Sequence, residues 1–212
     1  HYNGFEHVAN VTVTPDIIGA TKDSPFNTIE EMAAYTKANP GKVSAGATFG
    51  STSHFIWLLL EKTMGVKLNL VPYDGTSERM NALLSGAITL GAVNVASGKK
   101  HLQAGTIKPL AIAADSRDKQ IPDVPTLKES GYNMSFALER GIMAPKGTPK
   151  DVIDMWAGII KQAMETKSLQ DAMDAKGTGL RYQGPSEFKA YTDKLYNDYE
   201  AVAIEIGMYK KS

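Results

Sequence analysis

The chain has 212 residues, of which 42% are hydrophobic and 22% charged, which suits one large domain or two small lobes and excludes a disordered or fibrous chain. Lys plus Arg equals Asp plus Glu at 23 each, so no global field gathers nucleic acid or an anionic membrane surface. There is no cysteine, which removes disulfides, thiol nucleophiles and thiolate metal sites. The longest apolar run, residues 55–60, is far short of the ~20 residues that insert in a bilayer.

Strand and helix alternate along the first two thirds. Strands are predicted at 8–14, 17–21, 42–45, 67–71, 88–93, 108–113 and 136–144. Thr28 and Glu31 form a capping-box pattern that opens a helix ending before Pro40-Gly41. A second helix is expected over 51–64, with Phe55, Leu58, Leu59 and Thr63 on one face and Gly65 as its stop. A third starts near Thr76 or Ser77, carries Met80, Leu83 and Leu84, and stops at Gly86. Such alternation predicts an α/β layer fold with a largely parallel sheet. Lys99-Lys100-His101 reads as a solvated charge run.

The last third is mostly helical. Thr148-Pro149 reads as the cap of a helix bearing Val152, Ile153, Trp156, Ile159, Ile160 and Met164. Residues 168–176 form a short helix closed by Gly177, and Pro185-Ser186 opens a long one. One short strand is expected at 179–182. The composition shift over 136–149 marks the best domain boundary. The opening residues, His1 to Phe5, read as the interior of a longer chain, with no leader segment.

Two segments carry candidate chemistry. The stretch from Ala45 through Phe49, Gly50, Ser51, Thr52, Ser53 and His54 follows a strand and opens a helix. Its glycines allow close backbone approach, and the helix start offers unpaired N–H groups and a positive dipole end. Hydroxyls at Ser51, Thr52 and Ser53 add donors, which suits an anion of carboxylate size. The bland reading is that Ser and Thr cap the helix and Gly makes a turn. A phosphate loop would need a lysine beside the hydroxyl, and a nucleophile elbow would need G-x-S-x-G; neither pattern is present. The second segment, Tyr73, Asp74, Gly75, Thr76 and Ser77, again joins a strand end to a helix start. Two such loops at adjacent strand ends would face one crevice. Tyr73 reads equally as a wall residue or a core residue. His1, His7, His54 and His101 have no metal-ligand spacing, so no metal or cofactor is expected.

Taken together, these segments resemble the extracytoplasmic receptors of tripartite tricarboxylate transporters, the TctC or Bug family. Asn39-Pro40-Gly41-Lys42 is similar to its N-P-G-K, and Gly46 to His54 to its Gly-rich loop ending G-S-x-x-H. Val71 to Gly75 resembles V-P-Y-x-G, Leu84-Ser85-Gly86 resembles L-x-G, and Gly105 to Ala111 resembles G-x-[LI]-[KR]-x-L-A. Pro122 to Gly131 resembles P-D-V-P-T-x-x-E-x-G, and Ala144 to Pro149 resembles A-P-x-G-T-P. Shared order and spacing make the set specific.

The resemblance implies a periplasmic-binding-protein-like, two-lobed Venus-flytrap fold, one lobe complete and the other partial. Residues 15–135 would be the second ligand-binding lobe. Residues 1–14 and 136–212 would be hinge strands and the C-terminal part of the first lobe, without its N-terminal part. It implies a non-enzymatic periplasmic protein that captures a small organic acid (a di- or tricarboxylate, an amino acid or an aromatic acid) for membrane transporter subunits. Asn94 and Ala96 would line the cleft beside the two loops. A ligand-sensing role toward a signalling partner and an α/β enzyme are the rival readings. The family's acidic residue near Thr89 is absent here. For an amino-acid ligand, Asp74 is the acidic group expected to meet the ammonium.

Overall fold

The computed structural model describes residues 4–208. The chain divides into two compact units: Pro15–Leu138 forms one, and the segments before and after it form the other. The long strand β1, Phe5–Thr21, contributes its first half to one unit and its second half to the other.

In the Pro15–Leu138 unit, helix α1 is Ile29–Ala38. Strand β2, Ser44–Ala47, leads to α2, Thr52–Met64. Strand β3, Asn69–Pro72, leads to α3, Thr76–Ser85. Strand β4, Leu90–Asn94, leads to α4, Val95–Gln103, and β5 is Ile107–Ile112. The strand order is β3-β2-β4-β1-β5. Strands β2, β3 and β4 are parallel, as alternation with helices predicts. β1 is antiparallel to both β4 and β5, so the sheet is mixed rather than largely parallel. Ile17, Leu83, Ile88, Val93, Val95, Ile107 and Ile112 build one buried cluster that glues α3 and α4 to this sheet.

The other unit holds β6, Ala137–Pro145, which crosses the boundary, then α5, Lys150–Met164, α6, Lys167–Ala175, β7, Gly179–Gln183, and α7, Pro185–Glu205. β6 and β7 both pair with β1, β7 through Asn10, Thr12 and Val13. Val8, Ile153 and Ala157 form its small buried centre. Glu139 is buried there, ion-paired to Arg181 at 2.9 Å and accepting from Asn10. The outer face of α5 leaves Met155, Trp156 and Ile159 exposed.

Several local expectations shift. The predicted strands 8–14 and 17–21 are one strand. Pro15 falls between the last residue paired with β7, Val13, and the first paired with β4, Asp16, so neither of those ladders needs its missing N–H. Thr28 caps α1 as expected, but Glu31 returns its bond to the Asn27 N–H, one residue beyond the reciprocal position. Thr148 does not cap α5; its hydroxyl bonds the Pro145 carbonyl at 2.7 Å and Pro149 stands at the cap position. Lys99-Lys100-His101 lies within α4, a helix the sequence reading passed over. His1, the first of the histidines weighed for metal binding, lies outside the described residues.

Candidate functional site

Parallel pairing brings the C-terminal ends of β2, β3 and β4 to one edge of the sheet, with Ala47 opposite Pro72. Each strand runs straight into a helix, so the N-termini of α2, α3 and α4 open along the same edge. The chain winds from β2 out to β3 and then back past β2 to β4. Winding reverses at β2, and open α/β sheets bind ligands outside the strand C-termini at such a reversal.

The first loop is tightly wired. The Ser51 hydroxyl donates to the Thr48 carbonyl at 2.7 Å and accepts from the Ser53 N–H at 3.2 Å. The Ser53 hydroxyl, 2.9 Å from it, accepts from the Thr48 N–H. These hydroxyls are therefore committed to capping α2 and closing the loop. Gly50 takes a φ of 79°, where a side chain would be strained, and its N–H donates to His54 Nδ1 at 3.3 Å. His54 also stacks on Phe49 at 4.6 Å, and burial holds its pKa below the usual histidine value. His54 is thus a neutral loop clamp, while Phe49 and Thr52 face solvent. Below the loop, Trp57 is fully buried and donates from Nε1 to the Gly46 carbonyl at 2.9 Å.

The second loop differs. Gly75 occupies the cap position of α3 in extended backbone, and no side chain caps this helix. Its first-turn donors come from Thr76 and Ser77, both exposed. Tyr73 is half-buried and packs against the buried cluster. Asp74 is exposed, and its N–H donates to Glu78. Asn94 caps α4, its Oδ1 accepting from the Ser97 N–H at 2.9 Å; Ala96 is exposed beyond it. Thr89 lies at the opposite end of β4, bonded to Ser44, away from these loops.

Two charged residues that sequence reasoning missed join this edge. Arg79 of α3 reaches back to the hydroxyls of Thr48 and Thr76, spanning both loops. Its stem runs past Gly46, where an added Cβ would sit 3.4 Å from Arg79 Cγ. Asp16 of β1 is paired in register with Asn94. Its carboxyl is set deep enough that desolvation pushes its pKa up to about 6, against a smaller opposing pull from the Arg79 charge. Neither residue sits in a Gly- or Ser-rich motif, so no local signal could find them.

The segment from Pro122 to Gly131 is closed by its own hydrogen bonds. Thr126 and Glu129 cap each other, and Arg117 grips Glu129 through Nε at 3.0 Å. Those bonds hold Glu129 below the usual carboxylate pKa, led by the one from the Thr126 N–H. Pro125 and Leu127 bond Ile112, so this segment lies along the end of β5.

The sequence model described as "Tripartite tricarboxylate transporter family receptor" matches residues 2–199. The chain belongs to that family. BugT of Bordetella pertussis is 26% identical over 97% of this chain and 65% of its own length. A TctC solute-binding protein from Polaromonas superposes with a TM-score of 0.86 at 29% identity, over 96% of this chain and 70% of that one. MatC from Rhodopseudomonas palustris, solved with bound malate, superposes at 0.75 and 26% identity, over 93% and 69%. The fold is accordingly the α/β fold of periplasmic solute-binding proteins, and the family is one of receptors rather than enzymes. The chain spans 58–65% of the length of two curated relatives it matches.

Proposed function

We propose that this chain is the ligand-holding part of a periplasmic solute-binding protein that captures a small organic carboxylate for the membrane subunits of a tripartite tricarboxylate-type transporter. The observation that carries the reading is the shared edge where three helix N-termini meet and Arg79 spans two loops. Aligned helix starts supply oriented N–H donors and positive dipole ends, and Arg79 supplies a full charge. No proton needs to move; the site holds an anion. Malate bound to MatC supports a carboxylate as the ligand class. Among the described residues, no helix is long and apolar enough to cross a membrane, which fits delivery to separate membrane subunits.

Ser51 and Asn94 each take up one first-turn N–H of α2 and α4, whereas no side chain caps α3, so α3 has the most open donors. Thr76→Pro tests this. Proline at the first helical position is tolerated and removes one N–H. Extended Gly75 suits the residue before proline. Thr76→Ala keeps the N–H and loses only the hydroxyl bonded to Arg79. In calorimetric titration with a panel of di-, tri- and aromatic carboxylates, Thr76→Pro is expected to weaken the best ligand roughly tenfold, the value of one hydrogen bond to a charged group. Thr76→Ala should weaken it less. Equal affinity in wild type and Thr76→Pro would remove the α3 terminus from the site.

A further inference from the structure

Among the described residues, Phe49 is the large apolar side chain that the two loops leave exposed, at 55%. A lone exposed phenylalanine is ordinary on a protein surface, so exposure by itself decides nothing. This ring, however, is held. One face stacks on His54, with centroids 4.6 Å apart and planes 17° apart. His54 is itself buried and fixed by the Gly50 N–H at its Nδ1. The ring is therefore set in one place with its other face in water.

Phe49 also stands next to the cation of this edge. Its neighbour Thr48 carries the hydroxyl that accepts from Arg79 Nη1. Only one hydrogen bond, one threonine side chain and one Cα step separate guanidinium and ring, which keeps them within about 12 Å of each other. Winding reverses at β2, and right-handed crossovers then put α2 and α3 on opposite faces of the sheet. Phe49 leans on α2, and Arg79 belongs to α3. The crevice over Thr48 thus has an apolar wall on one side and a cationic wall on the other.

The charges along the edge are uneven. On the 48–51 and 73–75 loops and in the first turns of α2, α3 and α4, the charged side chains are Asp74, Glu78 and Arg79. One cation stands beside two acids. It matches one carboxylate, and a second one would meet the Phe49 ring or an acid.

Resting on the carboxylate-binding reading, we infer that Phe49 is a specificity-determining residue whose ring seats the apolar body of a monocarboxylate. The charged end of the acid takes Arg79 and the α3 start, and the remainder packs on the open face of Phe49. A second carboxylate on the ligand is disfavoured, because it loses water against the ring and finds no cation.

Calorimetry at neutral pH with matched pairs tests the idea: hexanoate against adipate, octanoate against suberate, and benzoate against terephthalate. In wild type, the monocarboxylate of each bound pair should bind about tenfold or more tighter than its partner. Phe49→Ala should weaken the monocarboxylates about tenfold and the dicarboxylates by much less, so that the preference collapses. Phe49→Leu, which keeps apolar area, should retain part of it, and a melting curve confirms that both variants fold. A loop merely loosened by loss of the stack would weaken both members of a pair alike. That outcome, a wild-type preference for dicarboxylates, or a preference that survives in Phe49→Ala would overturn the inference while the carboxylate reading stands. If no acid of any pair binds wild type, both fall.

Discussion

At the scale of single residues, Asp16 stands out because it works against the fold. Burial raises its carboxyl pKa from about 3.8 to about 6. Between those values the folded chain keeps a proton that the unfolded chain has released. Stability therefore declines as pH rises through that window and levels off above it. Asp16→Asn removes the decline. The variant should match wild type near pH 4 and exceed it at pH 7.5 by on the order of 2 kcal/mol, allowing for partial exposure. Urea midpoints at the two pH values check this. A variant less stable at pH 7.5 would mean that Asp16 is held by favourable contacts and is an ordinary structural acid.

At the scale of elements, the α2 start and the α3 start divide the work. Ser51 closes the 48–51 loop through its own hydroxyl, so Ser51→Ala should cost about 1 kcal/mol, the usual value of an N-cap. The denaturant midpoint should fall while carboxylate affinity changes less than in Thr76→Pro. The reverse ranking would mean that the ligand takes the Ser51 hydroxyl after all. The same contrast explains what was legible in the sequence. Thr28, Gly65 and Gly86 act on their own helix ends, and their signals are local. Both loop-to-helix junctions of the candidate site could be read for that reason. Helix α4 could not, since Gly98 sits in its middle and its reason is tertiary: a Cβ there would press on Val93 and Ile17, at 3.2 and 3.3 Å. The unbroken run of β1 through Pro15 was hidden because it depends on two different partners. Asp16 and Arg79 escaped for the same cause, each being placed beside the loops by strand register and helix packing rather than by its sequence neighbours.

At the scale of the whole molecule, the two tryptophans divide between the two units and offer a direct readout of where ligand acts. Trp57 is fully buried in the Pro15–Leu138 unit, tied through Nε1 to Gly46 at the end of β2. Trp156 is 51% exposed on α5 of the other unit. Single-tryptophan variants, Trp156→Phe and Trp57→Phe, separate their signals. Acrylamide should quench the emission of Trp156 strongly and that of Trp57 weakly. A carboxylate seated against the loops after β2 and β3 changes the field and the packing near Gly46, so it should shift the emission of Trp57. The shift should saturate at the concentrations that saturate the calorimetric signal, and Thr76→Pro should move it to higher concentration. A saturable response from Trp156 with none from Trp57 would mean that the ligand sits away from the β2 and β3 ends. The helix starts there would then be ordinary termini, and Asp16 and Arg79 only half-buried charges.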